Sequence, residues 1–206
     1  MRERPILFSA PMILALLDER KTMTRRVIKW PVYSVPLGLA SIRRIFLPDD
    51  LPKLAGLILP RCPYGQPGSF LWVREAWWHH KECRPPFEHT GPQGCVRYEA
   101  SEAAHATEPG RWLPEWYDKK PSIFMPRWAS RILLEITAVR VERVQDISEE
   151  DVQAEGIALQ PWAGEGPEGW PKTAGFAQLW DSLNAKRGHG WDANPFVWAI
   201  TFKRVG

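Results

Sequence analysis

The sequence predicts an α+β fold: a small mixed or antiparallel β-barrel with flanking short helices and a long loop insertion. Three observations lead there. Hydrophobic residues at 44% and charged residues at 25% are ordinary for a chain that builds a core. Short runs of β-branched and aromatic residues are separated by long connections rich in proline, of which there are 20. The regular strand–helix alternation of a doubly wound parallel sheet is absent. At 206 residues, against roughly 150 for a typical domain, the expectation is a single domain over 1–206 with a loop-rich insertion at about 79–121.

The elements follow in order. Ser9 is placed to cap a short helix through Pro11 and Leu17, with proline tolerated in the first turn. Lys21 to Ile28 mixes β-branched and cationic residues and reads as the approach to a strand, closed by Trp30-Pro31. Prolines 31, 36, 48, 52, 60, 63 and 67 reduce residues 31–69 to loops and edge pieces. Pro67-Gly68 is a turn, and strands follow at Phe70–Glu75 and Cys95–Glu99. Arg131 to Val144 alternates imperfectly over enough residues for a long central strand. Ser148 caps a helix, Asp151 completes the box-like pattern, Ile147 and Val152 form a staple, and Gly156 stops it. A second helix starts at Thr173, puts Phe176, Leu179, Trp180 and Leu183 on one face, and ends near Gly188. Phe196 to Lys203 is the final strand.

Several classes lose support. No phosphate-binding glycine motif and no G-x-S-x-G elbow occurs. No run reaches the ~18 apolar residues of a membrane helix, so no membrane partner is expected. Arg2 and Arg4 before an apolar stretch imitate a leader, but Pro11 and the charged Asp18–Lys21 break the pattern. Three cysteines, Cys62, Cys83 and Cys95, do not make a disulfide framework and suggest a reducing, cytoplasmic setting. His79, His80, Cys83, His89, Cys95 and His105 are candidate metal ligands, but only His79/His80 with Cys83 has a useful spacing; neither metal nor cofactor is expected.

Charge is distributed unevenly. Arg20 to Arg44 holds seven cations and no carboxylate, whereas Glu142 to Glu168 holds eight carboxylates and one cation. Either the basic stretch meets a polyanion, or the two stretches neutralise each other across the fold. The densest constellation is Lys21-Thr22-Met23-Thr24-Arg25-Arg26, hydroxyls interleaved with cations, which suits phosphate or carboxylate binding. The second is Trp72-Val73-Arg74-Glu75, a strand ending in a carboxylate and running into Trp77-Trp78. A desolvated Glu75 would want a cation. The twelve tryptophans supply stacking candidates in Trp72, Trp77, Trp78 and Trp128, and Arg25, Arg26, Arg74, Arg127 and Arg131 are candidate phosphate ligands.

A helix, then Arg20-Lys21-Thr22-Met23-Thr24-Arg25, then Pro67-Gly68 leading to Trp72-Val73-Arg74-Glu75, and a closing apolar strand resemble the ASCH domain, a PUA-like β-barrel. The chain also resembles prophage-encoded ASCH-related proteins of this length. The resemblance covers about a third of the residues and leaves out the 79–121 region. It implies a modified nucleoside or nucleic acid as partner, RNA ahead of DNA. From the small N4-acetylcytidine amidohydrolases of the superfamily it implies a hydrolase acting on N4-acylated cytosine, with catalytic roles on Lys21, Thr24 and Glu75. Where the family has glycine before the basic segment, this chain has Glu19.

Amide hydrolysis needs a nucleophile, a proton shuttle and an oxyanion stabiliser. For Lys21 to take a proton from Thr24 its pKa must fall from ~10.4 to near 7, roughly 4.6 kcal/mol of preference for the neutral amine. Burial with Arg25 and Arg26 pushes that way, and an ionised carboxylate pushes back. If the carboxylate wins, Lys21 stays charged and polarises a carbonyl while Glu75 moves protons through water. Lys21 and Thr24, three apart, face opposite sides of a regular strand, so a shared site requires a bend between Thr22 and Thr24. The alternatives are a non-catalytic PUA-like module that binds RNA or DNA and reads a modified base, and an ASCH-type ribonuclease using the clustered histidines.

Overall fold

The computed structural model describes residues 3–29, 55–56, 58–81, 95–101, 117–157 and 173–205. In chain order its elements are β1 (Glu3–Leu7), α1 (Ala10–Leu17), β2 (Met23–Val27), β3 (Phe70–Arg74), β4 (Trp77–His80), β5 (Val96–Tyr98), β6 (Tyr117–Lys120), β7 (Leu133–Arg143), α2 (Glu149–Ala154), α3 (Ala174–Asn184) and β8 (Phe196–Arg204). The fold is mixed α+β, with two sheets and few helices. Both sheets are open among the described residues, so the expected closed barrel is not what these strands make. The chain separates into two compact units, one of residues 1–19, 69–135 and 204–206, the other of 20–68 and 136–203.

In the first unit β3 pairs parallel with β1 and antiparallel with the start of β7. Alternation buries Ile6 on β1 and leaves Pro5 and Leu7 exposed, as expected of a half-covered edge. Ser9 precedes α1 in an extended conformation and its carbonyl accepts from the Ile13 N–H at 2.9 Å. A second sheet places β4 between β5 and β6, both antiparallel to it. One face of that sheet is closed by a cluster of Trp77, Cys95, Val96, Met125 and Ala129, with Tyr98 against it. Part of the region read as loop insertion is therefore sheet. The rest of it, with Cys83, His89 and His105, lies outside the described residues. Cys62 is free and buried, whereas Cys95 is disulfide-bonded, contrary to the expectation of reduced thiols.

In the second unit β8 lies between β7 and β2. The β2–β8 ladder is antiparallel, running from Met23 opposite Thr201 to Val27 opposite Val197. The core gathers Val144, Ile147, Val152, Phe176, Trp180 and Val197. The Ser148 Oγ accepts from the Asp151 N–H at 3.2 Å and both staple residues are buried, which is the helix start that the sequence spells out. On α3 only Phe176 and Trp180 of the expected face are buried, and Leu183 is exposed. Gly68, at φ +83°, donates its N–H to the Ile136 carbonyl at 2.8 Å, a backbone that favours glycine.

Candidate functional site: buried ion pairs on the two motifs

Lys21 precedes β2 and forms an isolated antiparallel bridge with Glu155, the residue after α2. The neighbouring Thr22 N–H donates to the Ala154 carbonyl at 2.8 Å, so the end of α2 is strapped to the motif by backbone. Lys21 is buried, and its Nζ donates to both the backbone carbonyl and Oε2 of Glu155, each at 2.7 Å. Burial pushes the Lys21 ammonium below the ordinary lysine range, and the Glu155 carboxylate pulls it back.

Arg25, also buried, reaches three carboxylates: Glu142 and Asp151 from Nη2 at 2.5 Å each, and Glu155 from Nη1 at 3.5 Å. Arg140 closes the network on Asp151 at 2.6 Å and Glu142 at 3.4 Å. Burial raises the Glu142 carboxyl against the pull of Arg25 and Arg140. Of the two readings of the charge runs, mutual neutralisation holds for Lys21 and Arg25. Ions this enclosed are tolerated only because every one has a partner. Arg25 is thus spent on internal carboxylates rather than held out for phosphate. Arg26 is partly buried, and burial lowers its guanidinium against the pull of Glu155.

The pairing across β2 continues without interruption. Thr24 is opposite Ile200, Met23 opposite Thr201, and the Phe202 N–H donates to the Thr22 carbonyl at 2.9 Å. No bend separates Thr22 from Thr24. Lys21 and Arg25 share Glu155, and Arg25 Nη1 lies 3.3 Å from Met23 Sδ, so residues 21, 23 and 25 share one side. The buried Thr24 alternates to the other. Glu19, where the resemblance has glycine, adopts φ +60°, the left-handed region that favours glycine. Its side chain is 78% exposed and lies 4.0 Å from Arg204.

In the first unit Glu75 follows β3 and is buried. Arg131 grips it with a fork, Nε to Oε1 and Nη2 to Oε2, both 2.9 Å. The same guanidinium donates to Ser101 Oγ at 2.7 Å and lies 3.9 Å from the centroid of the Tyr98 ring. Burial raises the Glu75 carboxyl, and Arg131 opposes the shift. Of the four candidate stacking indoles, Trp72 and Trp77 are buried, Trp78 is half-buried and Trp128 is exposed. Arg74 lies 4.6 Å from the Trp72 ring centroid, and Arg127 pairs with Glu3. Trp77, His79 and Trp128 meet edge to face, with centroids 5.7 to 6.1 Å apart. Burial lowers the His79 imidazole, with Lys120 adding to the effect. No group of three metal-ligating side chains occurs among the described residues, and none of their helices is long and apolar enough to cross a membrane.

Sequence reasoning missed Glu155, Glu142, Asp151 and Arg140 as members of the site. Their signal was the acidic run opposite in sign to the basic one, which says that partners exist but not which residues pair.

No family model matches the chain, and no curated protein does. Among solved structures it is similar to protein EF3133 from Enterococcus faecalis V583, of the DUF984 family, at 10% identity and TM-score 0.42 over 100% of this chain and 82% of that one. It is also similar to an ASCH domain from Lactobacillus crispatus JV V101, at 11% identity and TM-score 0.37 over 98% and 79%. Likeness of this extent decides neither family nor activity, which are argued from the residues.

Proposed function

We propose that this chain is a nucleic-acid-related protein of the ASCH type that removes the acyl group from N4-acylated cytosine in a nucleoside or nucleotide. The observation that carries the reading is Glu75, a carboxyl group sealed in the interior at the end of its motif, raised by burial and held by the Arg131 fork. A buried carboxyl that binds its proton more tightly than in water is a candidate for proton transfer. In the reaction, water oxygen bonds to the acyl carbon and the amide C–N bond breaks. Glu75 passes the water proton to the departing exocyclic nitrogen, leaving a carboxylate and cytosine.

A second reading, binding without turnover, is favoured by the uninterrupted β2 ladder. With Thr24 turned to the side opposite Lys21, a threonine nucleophile activated by that amine is unsupported. Acetate release from N4-acetylcytidine and from an N4-acetylated oligonucleotide decides between them. Turnover that falls at least a hundredfold in folded Glu75→Gln supports the hydrolase, as about 10²–10⁴ is what a positioned general acid–base supplies. Loss of turnover in Thr24→Ala would restore threonine as nucleophile. Salt-sensitive oligonucleotide binding with no turnover in any form leaves the module.

A further inference from the structure

The small sheet of the first unit has a second face, opposite the Trp77–Val96–Tyr98 side that closes on Met125 and Ala129. Trp78 on the central strand β4 stands directly across from Arg97 on β5 and from Lys119 on β6. Directly opposed residues project to the same side of a sheet, so this face carries a row of cation, indole, cation. Lys119 Nζ lies 5.3 Å from the Trp78 ring centroid. Two residues along β4, on the same side, His80 is paired with Tyr117, their rings edge to face at 5.0 Å. Arg97 is exposed and Lys119 is 57% exposed. The Lys119 contact with Glu99, at 2.6 Å, is an exposed ion pair that costs little to exchange.

We infer that this face is a binding platform for single-stranded nucleic acid. The half-buried indole offers a π-face on which any base can stack, the His80–Tyr117 pair offers a second aromatic position, and the cations on both flanking strands meet the phosphates on either side. Charge decides the occupant: a polyanion with exposed flat rings satisfies both features of the row, whereas a duplex keeps its rings stacked inside. The inference deepens the proposed function by making the substrate a polymer, and it rests on that reading only for which base is presented.

The test is fluorescence anisotropy of the full chain with labelled, unstructured 12-nucleotide RNA and DNA of one sequence, and with the corresponding duplex. Single strands are expected to bind more tightly than the duplex, and the stronger of the RNA and DNA arms names the polymer. Trp78→Ala is expected to weaken binding about ten- to hundredfold, with Trp78→Phe recovering most of it. Arg97→Ala and Lys119→Ala are each expected to flatten the slope of log affinity against log salt by about 0.7. Circular dichroism melts confirm that each variant is folded. Absence of binding by the wild-type chain, equal binding of duplex, or an unchanged affinity in folded Trp78→Ala overturns the inference. Because binding is read without turnover, acetate release from the free nucleoside with no oligonucleotide binding would sink the platform and spare the hydrolase. Tight single-strand binding with no hydrolysis would do the reverse.

Discussion

Replacing Glu155 by glutamine removes one negative charge and almost no volume from the interior of the second unit. Two cations feel it unequally. Arg25 keeps Glu142 and Asp151 at 2.5 Å each, and loses only a 3.5 Å contact. Lys21, whose side chain is 0% exposed, loses its 2.7 Å carboxylate contact and keeps the Glu155 carbonyl. The loss therefore falls on Lys21. Removing one partner of a buried pair costs about 3–5 kcal/mol. The retained carbonyl bond and isosteric amide place this variant near the lower end, at about 3 kcal/mol. The reciprocal change, Lys21→Met, leaves Glu155 near Arg25, so about 1–3 kcal/mol is expected. The double variant loses both charges together and should cost no more than about 2 kcal/mol, since apolar replacement of a whole buried pair is often close to neutral.

Urea unfolding of the four proteins closes the cycle. The coupling energy should reach about 2 kcal/mol or more, above the 0.2–1 kcal/mol of exposed pairs. An m-value shared by all four would show that the unfolded reference is unchanged. A coupling under about 0.5 kcal/mol would falsify the claim that Lys21 is held in the interior by this carboxylate.

Glu19→Gly, which relieves a left-handed residue at φ +60°, should stabilise the protein by about 0.5–1 kcal/mol in thermal melts, and a lowered melting temperature would contradict it. Arg131→Lys keeps the charge but loses the fork on Glu75 and the stack on Tyr98. It should cost about 2 kcal/mol in urea, and a wild-type midpoint would show that the fork contributes nothing. Glu75 binds a proton more readily in the folded state than unfolded, because burial raises its carboxyl. Its contribution is therefore fully present below the unfolded carboxylate value of about 4.3 and is lost as pH rises through the folded value. Glu75→Gln should accordingly gain on wild type as pH rises from about 4.3 through the folded value, and parallel stability curves for the two proteins over that range would count against the shift.

How much of this was visible in the chain depends on how local the cause is. The α2 start is written in consecutive residues, Ile147 to Val152, and appears as read. The strand pattern at Phe70 and at Phe196 is equally local. β1 was obscured by Pro5 and its flanking arginines, which read as a leader rather than as an edge strand taking its hydrogen bonds from a segment about seventy positions later. β4 and β6 carry His79, His80, Lys119 and Lys120 in place of a clean alternation, because one face of their sheet is polar, so the period-two signal is weak. The site divides in the same way. Lys21, Thr24 and Glu75 are recognisable from short motifs, but the residues that fix the ionisation of two of them, Glu155 and Arg131, are set by packing between distant stretches. The expected bend after Thr22 was inferred from a shared site for Lys21 and Thr24; the unbroken ladder removes that premise.

Each compact unit is assembled from separated pieces of chain, and among the described residues β2 takes its ladder partner from Phe196–Arg204. During synthesis the Lys21 amine waits for the Glu155 carboxylate, and β2 waits for β8. The second unit therefore cannot close while the nascent polypeptide is still short. Its closure is limited by pairings between residues more than a hundred positions apart, which places it among the slow folders. Removing β8 would strip β2 of its ladder and with it of its register.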